Sequence, residues 1–167
     1  MKYWKAGLLF LIAFILQSGA IKFIAIAGRT PNIILALVIV LSFLYENKLY
    51  GFVYGALFGV LYDICFGQVI GETAIPLAII ALVIFCLNGI YNVENIINLS
   101  LVSAGTIVGF SLLNWVMLSL AGNPTSLARA LIYMPISWIQ TFILIIILYY
   151  VFIRDVIKYI RQDRKLI

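Results

Sequence analysis

The chain has 167 residues, 65% of them apolar and 10% charged, with a formal net charge of +5 and a mean hydropathy of +1.18. Soluble domains run near half apolar and a quarter charged, so this composition excludes soluble enzymes, nucleic-acid binders and secreted disulfide scaffolds. Histidine is absent, and Cys65 and Cys86 stand far apart inside apolar runs. The commonest general base is therefore missing, no metal or redox motif can be read, and no cofactor is expected.

Six apolar stretches follow in chain order, at about 6–27, 31–45, 49–66, 72–91, 96–121 and 131–153. Each is apolar on every face, whereas membrane β-strands alternate. The sequence therefore reads as an all-α integral membrane protein, one transmembrane domain over 1–167 with 154–167 a basic cytoplasmic tail. The first run has the basic start of a signal peptide, but Gln17 and Lys22 interrupt the approach to Ala25 and Ala27, so it is expected to stay as a helix. The second run is short; from Pro31 to Tyr45 it rises about 22 Å. It is expected to extend through Glu46 and Lys48 or to sit in thinned bilayer. Thr30 reads as its N-cap and Pro31 as its first helical residue.

Six spans place both termini on one side. Lys2, Lys5, Lys48, Arg154, Lys158, Arg161, Arg164 and Lys165 then fall together, against Lys22, Arg29 and Arg129 opposite, which predicts cytoplasmic termini in a multi-pass membrane protein. Tyr3, Trp4, Tyr45, Tyr50, Tyr91, Tyr149 and Tyr150 collect at the same predicted interface, as an aromatic belt does. The loops, the longest at 122–130, leave no room for a folded domain. No Walker loop, zinc-protease or nucleophile-elbow motif occurs, and Ser100, Ser103, Ser111, Ser119 and Ser137 lack a basic partner nearby. These serines read as helix–helix hydrogen-bonding or small packing residues, and no enzyme is expected.

One segment is more informative. From 51 to 71 the sequence is GFVYGALFGVLYDICFGQVIG, with Gly51, Gly55, Gly59, Asp63, Gly67 and Gly71 at every fourth position. Each step of four drifts about 40° around a helix, so Gly55, Gly59 and Asp63 share one face, suited to close helix packing or to a partner. Asp63 is the one acid inside a span, about 21 Å from the cytoplasmic end. It reads either as a paired charge, with Lys22, Arg29 or Asn32 as candidates, or as a cap on the turn at Gly67. Gly67 and Gly71 read as turn glycines, and Glu72 as an acid at the start of the next helix, where Pro76 is still tolerated.

Pro31-Asn32 opening an apolar helix, then a short turn and the glycine–aspartate series through Gly71, resembles the rod shape-determining MreD family. Asn32 stands where many members carry Asp, and Ala56 where Leu is frequent. The resemblance implies a non-enzymatic scaffold subunit of the bacterial elongation machinery. Its implied partners are MreC, the RodA glycosyltransferase with its class B penicillin-binding transpeptidase, and actin-like MreB filaments. It also implies a fold similar to the substrate-binding subunits of energy-coupling-factor vitamin transporters, which makes vitamin capture the alternative. Those subunits often carry A-x-x-x-A in their first helix; Ala6, Ala13, Ala20 and Ala25 never fall four apart. The tail from Arg154 to Lys165 is expected to continue the last helix and lie on anionic lipid.

Overall fold

The structure, a computed structural model, describes residues 3–19, 30–45, 49–87, 95–122 and 135–163, with side chains as far as Ile153 in the last segment. All regular structure among the described residues is helical: α1 (Tyr3–Ser18), α2 (Ile33–Leu44), α3 (Tyr50–Phe66), α4 (Ala74–Leu87), α5 (Ile96–Leu120) and α6 (Pro135–Asp163). α6 runs on past Ile153 into the basic segment, as expected.

The short second run is the centre of the bundle. α2 is 12 residues long, and Ile34 to Leu44 are all buried; it touches each of the other five helices. A helix apolar on all sides needs apolar neighbours on all sides, which explains its composition without snorkelling ends. Glu46 and Lys48 lie outside the described residues. Its start differs from the sequence expectation. Asn32 is the N-cap, with its Oδ1 accepting from Leu35 N–H at 2.9 Å, and Pro31 is buried just before the helix. Asn and Asp rank above Thr as N-cap residues. Asn95 begins α5 in the same way, accepting from Ile97 N–H at 2.9 Å.

Close approaches between helix ends fix the direction of each helix. At one pole Tyr50 meets Tyr3 and Tyr45 edge to face, with centroids 4.7 and 5.5 Å apart, and Tyr54 donates to the Tyr3 carbonyl. At the other pole α1, α3 and α5 end and α2, α4 and α6 begin, and the polar side chains of the bundle gather there. Between them Phe10 and Phe14 of α1 pack on Phe58, and Phe14 on Phe66, of α3. The helical part of the first run closes at Ser18; residues 20–29 of the predicted span, with Lys22 and Arg29, lie outside the described residues.

Candidate functional site

The glycine face of α3 is used inside the chain. A Cβ on Gly51 would overlap Ser42 Oγ of α2, one on Gly55 would come within 2.8 Å of Val38, and one on Gly59 within 2.6 Å of the Ala74 backbone at the start of α4. All three glycines are buried. They let α2 and α4 close against α3 at backbone distance, the geometry in which dispersion contacts are densest. Of the two roles read for this face, helix packing within the chain is the one whose contacts are seen.

Asp63 continues that face and is 2% exposed. One carboxylate oxygen accepts from the N–H groups of Gly71, Thr73 and Ala74 at 2.9, 3.1 and 3.1 Å, and the other accepts from Thr73 at 3.0 Å. The first N–H groups of a helix have no partner within it and carry partial positive charge. Asp63 therefore caps α4 from the helix before it. The donors are the backbone N–H groups of Gly71, Thr73 and Ala74; Gly67 N–H instead bonds the Asp63 carbonyl at 2.9 Å. Asn32, a candidate partner for the charge, is engaged with Leu35 and Thr141.

Gly71 has φ +101°, which a side chain would strain, and this turn delivers its amide to the carboxylate. Gly67 closes α3 in extended conformation. Glu72 lies two residues before α4, and its carboxylate accepts from Gln68 N–H at 3.2 Å, closing the turn rather than facing the helix amides. Pro76 is buried in the first turn of α4, where its missing N–H costs nothing.

Around Asp63 the ends of the other helices are tied by side chains. Gln17 of α1 accepts from Ile33 N–H at 2.7 Å and hydrogen-bonds Tyr62 of α3. Asn32 N–H donates to Thr141 Oγ1 of α6 at 3.0 Å, and Asn114 of α5 donates to the Glu72 carbonyl at 3.3 Å. Trp138 Nε1 donates to Ser111 Oγ at 2.8 Å, and Ser137 to the Thr30 carbonyl at 3.4 Å. Between α2, α5 and α6 these side chains line a partly open cavity of about 190 Å³.

Asn114, Trp138 and Thr141 were not singled out in the sequence. The available signal was the spacing of Ser111 with Asn114 and of Ser137 with Thr141, each pair on one face of neighbouring apolar runs. Ser100, Ser103 and Ser119, read as helix–helix hydrogen-bonding or small packing residues, bond carbonyls of their own helix. Of these five serines, Ser111 and Ser137 bond beyond their own helix.

Among the described residues the chain is an all-helical bundle of apolar helices, two of them long and apolar enough to cross a bilayer. The sequence model of the rod shape-determining protein MreD matches residues 1–161. The chain belongs to the MreD family and is a rod shape-determining membrane protein, of a structural rather than an enzyme family. No curated protein and no solved structure gives a match.

Proposed function

We propose that this chain is a non-enzymatic scaffold subunit of the cell-elongation complex. It spans the bacterial plasma membrane six times with both termini in the cytoplasm, and binds the single-span protein MreC to support peptidoglycan synthesis by RodA and its transpeptidase. Family membership over residues 1–161 carries this reading. The distribution of burial supports it: α2 to α4 are packed against one another through glycine, whereas only 28% of the apolar stretch of α5 and 17% of that of α6 is buried. Those outward faces are open to lipid and to a partner's helix. The basic tail supplies attraction to anionic lipid on the cytoplasmic side and an approach for MreB filaments.

The test is co-isolation. Tagged protein expressed with MreC should retain it through purification, and a folded protein that does not would overturn the reading, as would tight binding of a vitamin by the chain alone. Topology is checked separately. Single cysteines placed at Gly28 and Gly122 should react with an impermeant thiol reagent from outside, and those at Asn47, Asn92 and Gln162 should not. Labelling at Gln162 from outside would remove the six-span arrangement.

A further inference from the structure

The cavity at the polar pole has a chemistry of its own. Its volume, about 190 Å³, equals about six waters at ~30 Å³ each and lies below the ~300 Å³ at which clefts for drug-sized molecules begin. It has room for a single ring. None of its lining residues is ionisable, so an ion would lose its hydration there without gaining an opposite charge. Leu35, Ile107, Phe110 and Trp138 give it apolar walls; hydroxyls and amides give it a polar rim.

The rim is held in place and offers both hydrogen-bonding senses. Asn32 spends its oxygen on Leu35 N–H, which leaves the NH2 edge of its amide as donor. Asn114 spends its nitrogen on the Glu72 carbonyl, which turns its oxygen edge the other way as acceptor. Thr141 and Ser111 are fixed by bonds to Asn32 N–H and Trp138 Nε1. An ammonium would need acceptors alone and a phosphate donors alone. A hydroxyl is both donor and acceptor, and a ring bearing several presents C–H faces to apolar walls.

We propose that this cavity binds the uncharged, hydroxyl-bearing ring of a hexose, free or as the headgroup of a glycolipid in the adjoining leaflet. The glycolipid source rests on the membrane reading above; the ring chemistry does not.

The experiment uses the intact protein in phosphatidylcholine nanodiscs. Glucose is titrated calorimetrically, and glucosyl-diacylglycerol or plain diacylglycerol is incorporated and the retained lipid counted by native mass spectrometry. The sugar lipid should be retained over diacylglycerol. Two variants should weaken retention by about tenfold, corresponding to loss of one or two hydrogen bonds. Ser137→Leu fills the cavity, and Asn114→Asp places a charge in it. Each variant also gives up a tie, to the Thr30 or the Glu72 carbonyl, so a lower unfolding temperature is expected; co-isolation with MreC should match the parent, which separates this inference from the proposed function. Heat on adding glucose alone assigns the free ring; retention of the lipid without it assigns the headgroup. Equal retention of both lipids, or undiminished binding in Ser137→Leu, overturns the proposal. Loss of MreC from both variants without any sugar binding also overturns it, and makes the cavity a protein contact.

Discussion

Gly55 and Gly59 on α3 and Gly105 and Gly109 on α5 have the same four-residue spacing and opposite surroundings. A Cβ at the first pair would meet Val38 at 2.8 Å and the Ala74 backbone at 2.6 Å; at the second pair it would meet nothing within 4 Å. The motif alone does not say whether a helix is packed. What distinguishes α3 is the residue that follows in register. Asp63 takes the amides of Gly71, Thr73 and Ala74 and draws the start of α4 onto Gly59, so the polar cap and the glycine contact hold one junction. α5 has no such acid on its glycine face, and its outward face remains open.

The largest effect expected from this comparison is at Gly59. In Gly59→Leu the new side chain starts 2.6 Å from backbone, which cannot rotate away as a flexible side chain can. Overpacking costs typically 1–3 kcal/mol where neighbours can adjust, so a loss of at least about 3 kcal/mol is expected here. Thermal unfolding in detergent, with recovery of folded protein from membranes, measures it. Gly55→Leu should cost less, because its neighbour at 2.8 Å is a Val38 methyl.

Next is the cap. Asp63→Ala leaves three buried backbone N–H groups, those of Gly71, Thr73 and Ala74, without their acceptor, at about 1–3 kcal/mol each before any relaxation or water entry. Asp63→Asn is milder. Its oxygen can take the place of the carboxylate oxygen that serves all three amides, but its NH2 then faces Thr73 N–H where an acceptor stood at 3.0 Å. The expected order in unfolding temperature is parent, Asn, Ala. If Asn and Ala are equally poor, a paired charge and not the backbone cap sets the cost of this position.

How much of this was legible in the sequence differs between the two glycine pairs. The helical class follows from runs that are apolar on every face, the turn at Gly67 and Gly71 from where the third run ends, and the shared face of Gly55, Gly59 and Asp63 from spacing, because four residues make slightly more than one helical turn. The recipient of the Asp63 carboxylate does not. It requires knowing that the chain reverses over 67–73 and brings α4 back antiparallel, a tertiary fact. The centrality of α2 was hidden for a related reason: an all-apolar run looks the same whether lipid or five helices surround it. The cavity was harder still, since its polar lining comes from three helices separated in sequence by up to 109 residues, as between Asn32 and Thr141.

A smaller effect is expected at the start of α2. Asn32→Ala removes the side-chain acceptor from Leu35 N–H and should cost about 1 kcal/mol. Asn32→Asp keeps it, since the two residues cap about equally well, and should leave unfolding unchanged within a few tenths of a kcal/mol. A large loss with Asp would show that the amide nitrogen, and not the cap, is what the position requires.

The smallest effect is expected at the open pair, and it decides the comparison. Gly105→Leu and Gly109→Leu add side chains where, among the described residues and apart from the helix's own backbone, no atom lies within 4 Å of the new Cβ. Neither glycine has a positive φ, so the helix accepts a side chain without backbone strain. Replacing a helix-interior glycine removes a propensity penalty of up to about 1 kcal/mol in water, and the added hydrocarbon faces outward. The isolated protein should therefore unfold at the parent temperature or slightly above it. Should Gly105→Leu instead destabilise the isolated chain as much as Gly59→Leu, the cost would follow from the spacing of the glycines and not from what surrounds them. The argument that Asp63 and α4 make the first pair different would then fail.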